Sequence, residues 1–208
     1  GIPTGDNRVT YIAPIPASEN NDNLVPTANC FMVEPGGSFC FDPFACQQNG
    51  TEITNSQMTG WYGTASTGIK SVKLLWQTRE NGDVGDPVMG IANSDDDHTN
   101  IVDIKRTIDN SDTNTVPAND KGQCRIYCRV AANTTGGNGA IAAYDGPDGT
   151  GNIVWSWHVW VTDYKPDARG GEQALEPENK RKLLFSWNNS SVLPMMDRSL
   201  GAMAGYLD

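Results

Sequence analysis

Residues 153–162, Ile-Val-Trp-Ser-Trp-His-Val-Trp-Val-Thr, constrain the fold more than any other stretch of the chain. They are rich in β-branched and aromatic residues and contain neither Gly nor Pro, a composition that suits a pleated, half-buried ribbon. A strand sends successive side chains to opposite faces. Trp155, Trp157, Val159 and Val161 then share one face, which reads as core. Ser156, His158, Trp160 and Thr162 share the other, which sets a Trp and a His side by side on the face turned nominally to solvent.

The same rhythm of two recurs upstream. In 123–130, Cys124, Ile126, Cys128 and Val130 point one way and Arg125, Tyr127 and Arg129 the other. In 71–77, Val72, Leu74 and Trp76 fall on one face and Lys73, Leu75 and Gln77 on the other. Eight strands are predicted, over 29–33, 38–44, 68–78, 87–92, 101–106, 123–130, 139–145 and 153–162. Turn clusters separate them: Glu34-Pro35-Gly36-Gly37, Asn81-Gly82-Asp83, Thr135-Gly136-Gly137-Asn138 and Asp145-Gly146-Pro147-Asp148-Gly149. Many short strands at this spacing predict an all-β fold, an immunoglobulin-like β-sandwich with a C-terminal extension. Residues 1–26, polar and carrying Pro14, Pro16 and Pro26, read as a leader or linker in which only 9–13 could pair as a strand. The β-sandwich domain is expected over 27–165. Residues 166–208 read as a charged loop, one further strand at 183–187, and a separate tail from Leu193 onward.

Charge narrows the function. The net charge is −10, and neutralising phosphates takes a basic patch, so nucleic acid is not an expected partner. The one dense basic run, Lys180-Arg181-Lys182, reads as a solvated edge. No apolar run approaches the ~18 residues needed to cross a bilayer as a helix. The five cysteines are Cys30, Cys40, Cys46, Cys124 and Cys128. None forms a Cys-x-x-Cys pair, which argues against zinc ribbons and thioredoxin-like sites. Cys124 and Cys128 would stand about 13 Å apart along one strand face, too far to bridge. Buried free thiols are the favoured reading, with Cys40–Cys46 the alternative as a local disulfide.

Catalytic signatures are sparse. The chain has two histidines, His98 and His158, and no Gly-x-Ser-x-Gly elbow. No local sequence signature pairs a Cys with either His. Asp95-Asp96-Asp97-His98 is the densest acidic cluster, but three adjacent carboxylates rarely converge on one cation and the alternating pattern of a calcium-binding hand is missing; it reads as a solvated loop tip. Asp145–Asn152 reads as a hairpin connection rather than a calcium loop. No metal or other cofactor is expected. A hydrolase built on two carboxylates ranks as a third reading, because a chain with 25 acidic residues offers many pairs without marking any. The candidate ligand-binding residues are Trp160 and His158: an apolar ring with a polar edge suits stacking on a sugar. The competing reading covers Trp160 with the C-terminal segment, by Trp187 or Leu193, and makes His158 a cross-strand polar group.

Four fragments carry a resemblance. Ala28-Asn29-Cys30-Phe31-Met32-Val33-Glu34-Pro35-Gly36, Asn138-Gly139-Ala140-Ile141-Ala142-Ala143-Tyr144-Asp145, the Trp-rich run through Tyr164, and Met196-Asp197-Arg198-Ser199-Leu200-Gly201-Ala202 follow one another in the chain. In that order they resemble the fimbrillin-like and adhesin-like surface proteins of gut anaerobes that carry a FISUMP-type C-terminal region. Ser199 stands where the family's pattern has Asn. The resemblance implies a location that is extracellular or cell-surface, associated with the outer membrane, and a start of the FISUMP-type region near Met196 that is truncated here. It also implies other surface or pilus proteins, or host and glycan ligands, as partners. The expected function is therefore a non-catalytic structural or adhesion domain, not an enzyme. A carbohydrate-binding module using an exposed aromatic strand face is the alternative.

Overall fold

A computed structural model of the chain describes residues 27–48, 51–55, 67–79, 88–90, 101–132, 134, 136–162, 182–187, 191–196 and 203–204. The expectations for 1–26, for Asp95–His98 and for Lys180 and Arg181 lie outside the described residues. The fold is all-β. Its strands are β1 (Cys30–Val33), β2 (Ser38–Phe41), β3 (Ala45–Gln48), β4 (Thr51–Thr54), β5 (Ser71–Arg79), β6 (Val102–Arg106), β7 (Cys124–Arg129), β8 (Gly137–Tyr144), β9 (Ile153–Val161), β10 (Lys182–Trp187), β11 (Ser191–Met196) and β12 (Met203–Ala204). A single 3-10 turn, Pro147–Gly149, links β8 to β9.

The strands form a five-stranded sheet in the order β12-β1-β9-β8-β5, a three-stranded sheet β2-β7-β6, and the hairpins β3-β4 and β10-β11. β8 pairs antiparallel with both β5 and β9, whereas β1 runs parallel to β9. Pro35 and Gly36 turn the chain from β1 into β2: Gly37 N–H donates to Glu34 O at 2.9 Å, and Gly36 takes φ +80°. That left-handed position after a Pro is the type II turn geometry that favours Gly.

Side chains from the two larger sheets meet in one apolar cluster. Phe31 and Val33 of β1, Ile141 of β8 and Trp157, Val159 and Val161 of β9 come from one sheet. Phe39 and Phe41 of β2, Ile104 of β6 and Cys124, Ile126 and Cys128 of β7 come from the other. The Phe41 ring centroid lies 4.5 Å from that of Phe31 and 5.1 Å from that of Trp157, the latter edge-on. Edge-on and tilted rings satisfy the quadrupole of each aromatic face, so the aromatic cluster ties β1, β2 and β9 together.

Most expected strands appear with ends shifted by a residue or two. Three differences have physical causes. First, the strand expected over 38–44 stops at Phe41, because the buried Asp42 turns the chain: its carboxylate accepts from Phe44 N–H at 2.9 Å and Gly122 N–H at 2.6 Å. The hairpin β3-β4 follows. Second, Val88–Gly90 of the strand expected over 87–92 is a bend, and 87, 91 and 92 lie outside the described residues. The Gln77 amide oxygen accepts from Val88 N–H and Met89 N–H, both at 3.0 Å, which replaces a strand partner.

Third, the expected face of Trp76 is wrong. Leu74 pairs with Ile141 and Trp76 with Ala140, so Leu75 is the extra residue of a β-bulge. An inserted residue reverses the parity of everything after it. Trp76 therefore leaves the face of Val72 and Leu74 and stands 40% exposed.

In the C-terminal region the strand expected over 183–187 is β10, antiparallel to β11. β12 adds two residues in parallel to the edge of β1, with Phe31 opposite Met203 and Met32 opposite Ala204.

Candidate functional site

The face of the five-stranded sheet turned away from the aromatic cluster holds both residues singled out in the sequence. Strand register assembles it in rows. One row runs Trp76, Ala140, His158, Cys30 across β5, β8, β9 and β1. The next runs Thr78, Asn138, Trp160, Met32. Cys30, Met32 and Ala140 are buried yet absent from the central apolar cluster, in keeping with this opposite orientation. Exposure differs along the rows. Met32 is fully buried, His158 and Trp160 are half-buried, and Trp76 is open.

His158 makes the most specific contacts here. Its Nδ1 lies 3.1 Å from Cys30 Sγ and its Nε2 lies 2.7 Å from Asn138 Oδ1. An amide oxygen only accepts, so Nε2 carries the ring hydrogen and donates it to Asn138. That leaves the Nδ1 lone pair facing the thiol, and Cys30 S–H donates to it. Burial lowers the His158 pKa below the ordinary imidazole value, which keeps the ring neutral and Nδ1 able to accept a proton at neutral pH. The backbone fixes the pair as well, because His158 N–H donates to Asn29 O at 2.9 Å. Trp155 Nε1–H reaches Asn29 Oδ1 at 3.3 Å. A depression of about 320 Å³, lined by Asn29, Ile153, Val154, Trp155 and Ser156, opens at this end of the site.

The sequence marked His158 and Trp160 but missed Cys30, Asn138 and Trp76. No local pattern pairs Cys30 with His158, which lie 128 residues apart. The fragments that carry the resemblance do supply all three members of the contact, one each: Cys30, Asn138 and His158.

None of the five cysteines is in a disulfide, and four of them are buried. Burial pushes the Cys40 thiol up to about 11 and the Cys128 thiol up to about 12, and it raises Cys124 well above the ordinary thiol value. None of these three has a His contact of the Cys30 kind among the described residues.

Two acidic features elsewhere are occupied by internal contacts. The Asp145 carboxylate accepts from Asn152 N–H at 2.7 Å and Asn152 Nδ2 at 3.1 Å. These bonds close the hairpin connection and hold Asp145 below the ordinary carboxylate value. Asp103 and Asp112 line a cleft of about 190 Å³ with Lys70, Ser71 and Thr113. Both carboxylates meet the Lys105 ammonium, Asp103 at 3.6 Å. Asp103 is buried, and the loss of water raises its pKa despite that ammonium.

No protein-family model and no curated protein matches the chain.

Proposed function

We propose that the chain is a non-catalytic structural or adhesion domain of the cell surface, pilus-associated, whose two larger sheets form an immunoglobulin-like sandwich. One observation carries this reading: β5, nine residues long, is the outermost strand of its sheet, and its bulge holds Leu75 and Trp76 at 44% and 40% exposure. A long edge strand with apolar side chains at its bulge is a ready surface for a neighbouring chain. The fragments resembling surface adhesins and the acidic surface support the same assignment. Other surface or pilus proteins and host matrix proteins are the partners it implies, and the outer-membrane surface is the location.

The test is sedimentation of the chain alone and with purified matrix proteins, for wild type and for Leu75→Lys with Trp76→Lys. Association lost in the double variant is the expected result. Turnover of a peptide or glycan by the wild type, or association unchanged in the variant, refutes it.

A second reading, carbohydrate binding, has its own observation. The bulge brings Trp76 to the face of Trp160 and His158, so two indoles flank the polar Asn138 and Thr78 on one surface. Indole faces with polar edges between them suit a short run of sugar rings. A glycan array on wild type, Trp160→Ala and Trp76→Ala decides it: binding lost in both variants supports a glycan platform, and silence of the wild type removes it. No helix among the described residues is long and apolar enough to cross a membrane.

A further inference from the structure

We infer that Cys30 is an activated thiol, a site of covalent modification by disulfide exchange with small neutral disulfides, with His158 as its base and Asn138 as the positioning residue. This goes beyond the adhesion reading and does not depend on it. The geometry is that of a nucleophile, a base and an orienting group in sequence: 3.1 Å from Sγ to Nδ1, then 2.7 Å from Nε2 to Asn138 Oδ1. Asn138 Oδ1 fixes the tautomer, and with it the direction of proton movement.

The surroundings suit a neutral reagent. Within the two rows around the pair, the neighbours are Ala140, Trp76, Trp160, Met32 and Thr78, none of them charged. Lys73 stands in the next row, opposite Ala142. Cys30 is 6% exposed, which restricts the reagent to a small one. His158 is only half-buried, and the depression is lined by Asn29, the residue before Cys30, and by Ser156, two residues before His158.

The step balances. The Cys30 proton passes to His158 Nδ1 and the thiolate attacks one sulfur of the disulfide. The S–S bond breaks as the new S–S bond forms. The departing thiolate takes the proton from the imidazolium and leaves as a thiol. Cys30 is oxidised to a mixed disulfide and the other half of the reagent is reduced. Neutralising a thiol proton onto an adjacent imidazole is the established route to a low thiol pKa.

The test uses hydroxyethyl disulfide on the full chain, with the label on each cysteine followed by peptide mapping across a pH series. At neutral pH, Cys30 is expected to react at least about tenfold faster than Cys40 or Cys128, allowing for the lower nucleophilicity of a more acidic thiol. Its rate should level off below the ordinary thiol value of about 8.5. His158→Gln should slow Cys30 about tenfold at neutral pH, with the gap closing once alkali ionises the thiol unaided. Asn138→Ala should shift the Cys30 profile in the same direction by less. The inference is overturned if Cys30 labels no faster than Cys128, or if its rate climbs through the ordinary thiol range without levelling. It is also overturned if folded His158→Gln leaves the profile unchanged. The first two comparisons lie within the wild-type chain, so a variant that fails to fold does not shield the inference.

Discussion

Replacing Phe41 by Ala should cost this protein more stability than almost any other single truncation. The ring is fully buried and stands between the sheets, 4.5 Å from the Phe31 centroid, 5.1 Å from Trp157 and 6.2 Å from Phe39. Removing a fully buried Phe costs about 3–5 kcal/mol, from lost transfer energy and from the cavity left behind. Aromatic pairs add about 0.5–1.5 kcal/mol beyond buried area, and three ring neighbours put Phe41 in the upper half of that range. The cavity cannot collapse easily, because the neighbouring rings belong to strands fixed by their own ladders. Urea unfolding followed by tryptophan fluorescence reads the change directly, since Trp157 touches the missing ring. For a chain of this size the melting midpoint should drop by roughly 10–15 °C. Phe41→Leu, which keeps most of the volume, should cost about half as much. Ile108→Ala, at a site 78% exposed, should stay within about 0.5 kcal/mol of wild type. A loss under about 1.5 kcal/mol for Phe41→Ala, at an unchanged m-value, would mean that the two sheets are not held together through this aromatic cluster.

Two further outcomes follow from side-chain environments. Gly151 takes φ +79°, and a Cβ there would stand 2.2 Å from Asp145 Oδ1; Gly151→Ala should cost about 2–3 kcal/mol in thermal unfolding, the left-handed backbone supplying about 1–2 of that. Gly122, at φ +83° with open space around its missing Cβ, should cost only about the backbone share when changed to Ala, and equal losses at the two positions would sink the steric argument. Asp103 has its pKa raised by burial, so its contribution to stability is complete below the ordinary carboxylate value and is lost as pH rises through its folded value. Asp103→Asn keeps an acceptor for Ile104 N–H, bonded at 2.9 Å in the wild type, and removes the titration. Urea unfolding at mildly acidic and neutral pH should therefore show wild type losing stability relative to the variant as pH rises, and the opposite trend refutes the desolvated carboxylate.

The sequence made the strands legible where the rhythm of two was uninterrupted. β7 and the later part of β9 run as expected because Cys124, Ile126 and Cys128, and Trp157, Val159 and Val161, alternate without a break and are buried. At the start of β9 a register shift against Ala143 and Tyr144 buries Val154 and leaves Trp155, expected as core, only partly buried. β5 failed at one residue. Leu75 is as apolar as its neighbours and brings no Gly or Pro to announce a bulge, so the inversion of Trp76 is set by pairing with β8 and not by local composition. The β3-β4 hairpin was missed for a different reason. Its strands are mostly polar, yet Asn49-Gly50 between them is a strong hairpin dipeptide that was readable on turn chemistry alone. At the candidate site, His158 and Trp160 were visible from strand parity. The Cys30 and Asn138 contacts were not, because they depend on which strands become neighbours.

The parallel pairing of β1 with β9 also dictates a schedule. Cys30 cannot meet His158 until 128 further residues have been made, which takes roughly 6–25 s at ribosomal speeds of about 5–20 residues per second. Throughout that interval the Cys-Phe-Met-Val segment, among the most apolar in the molecule, lacks its main strand partner. The nascent chain thus carries a sticky ribbon that only the late arrival of the tryptophan-rich strand can cover. Closing so long a loop makes completion of the sheet slow, and holding that ribbon away from other chains becomes a requirement of biosynthesis.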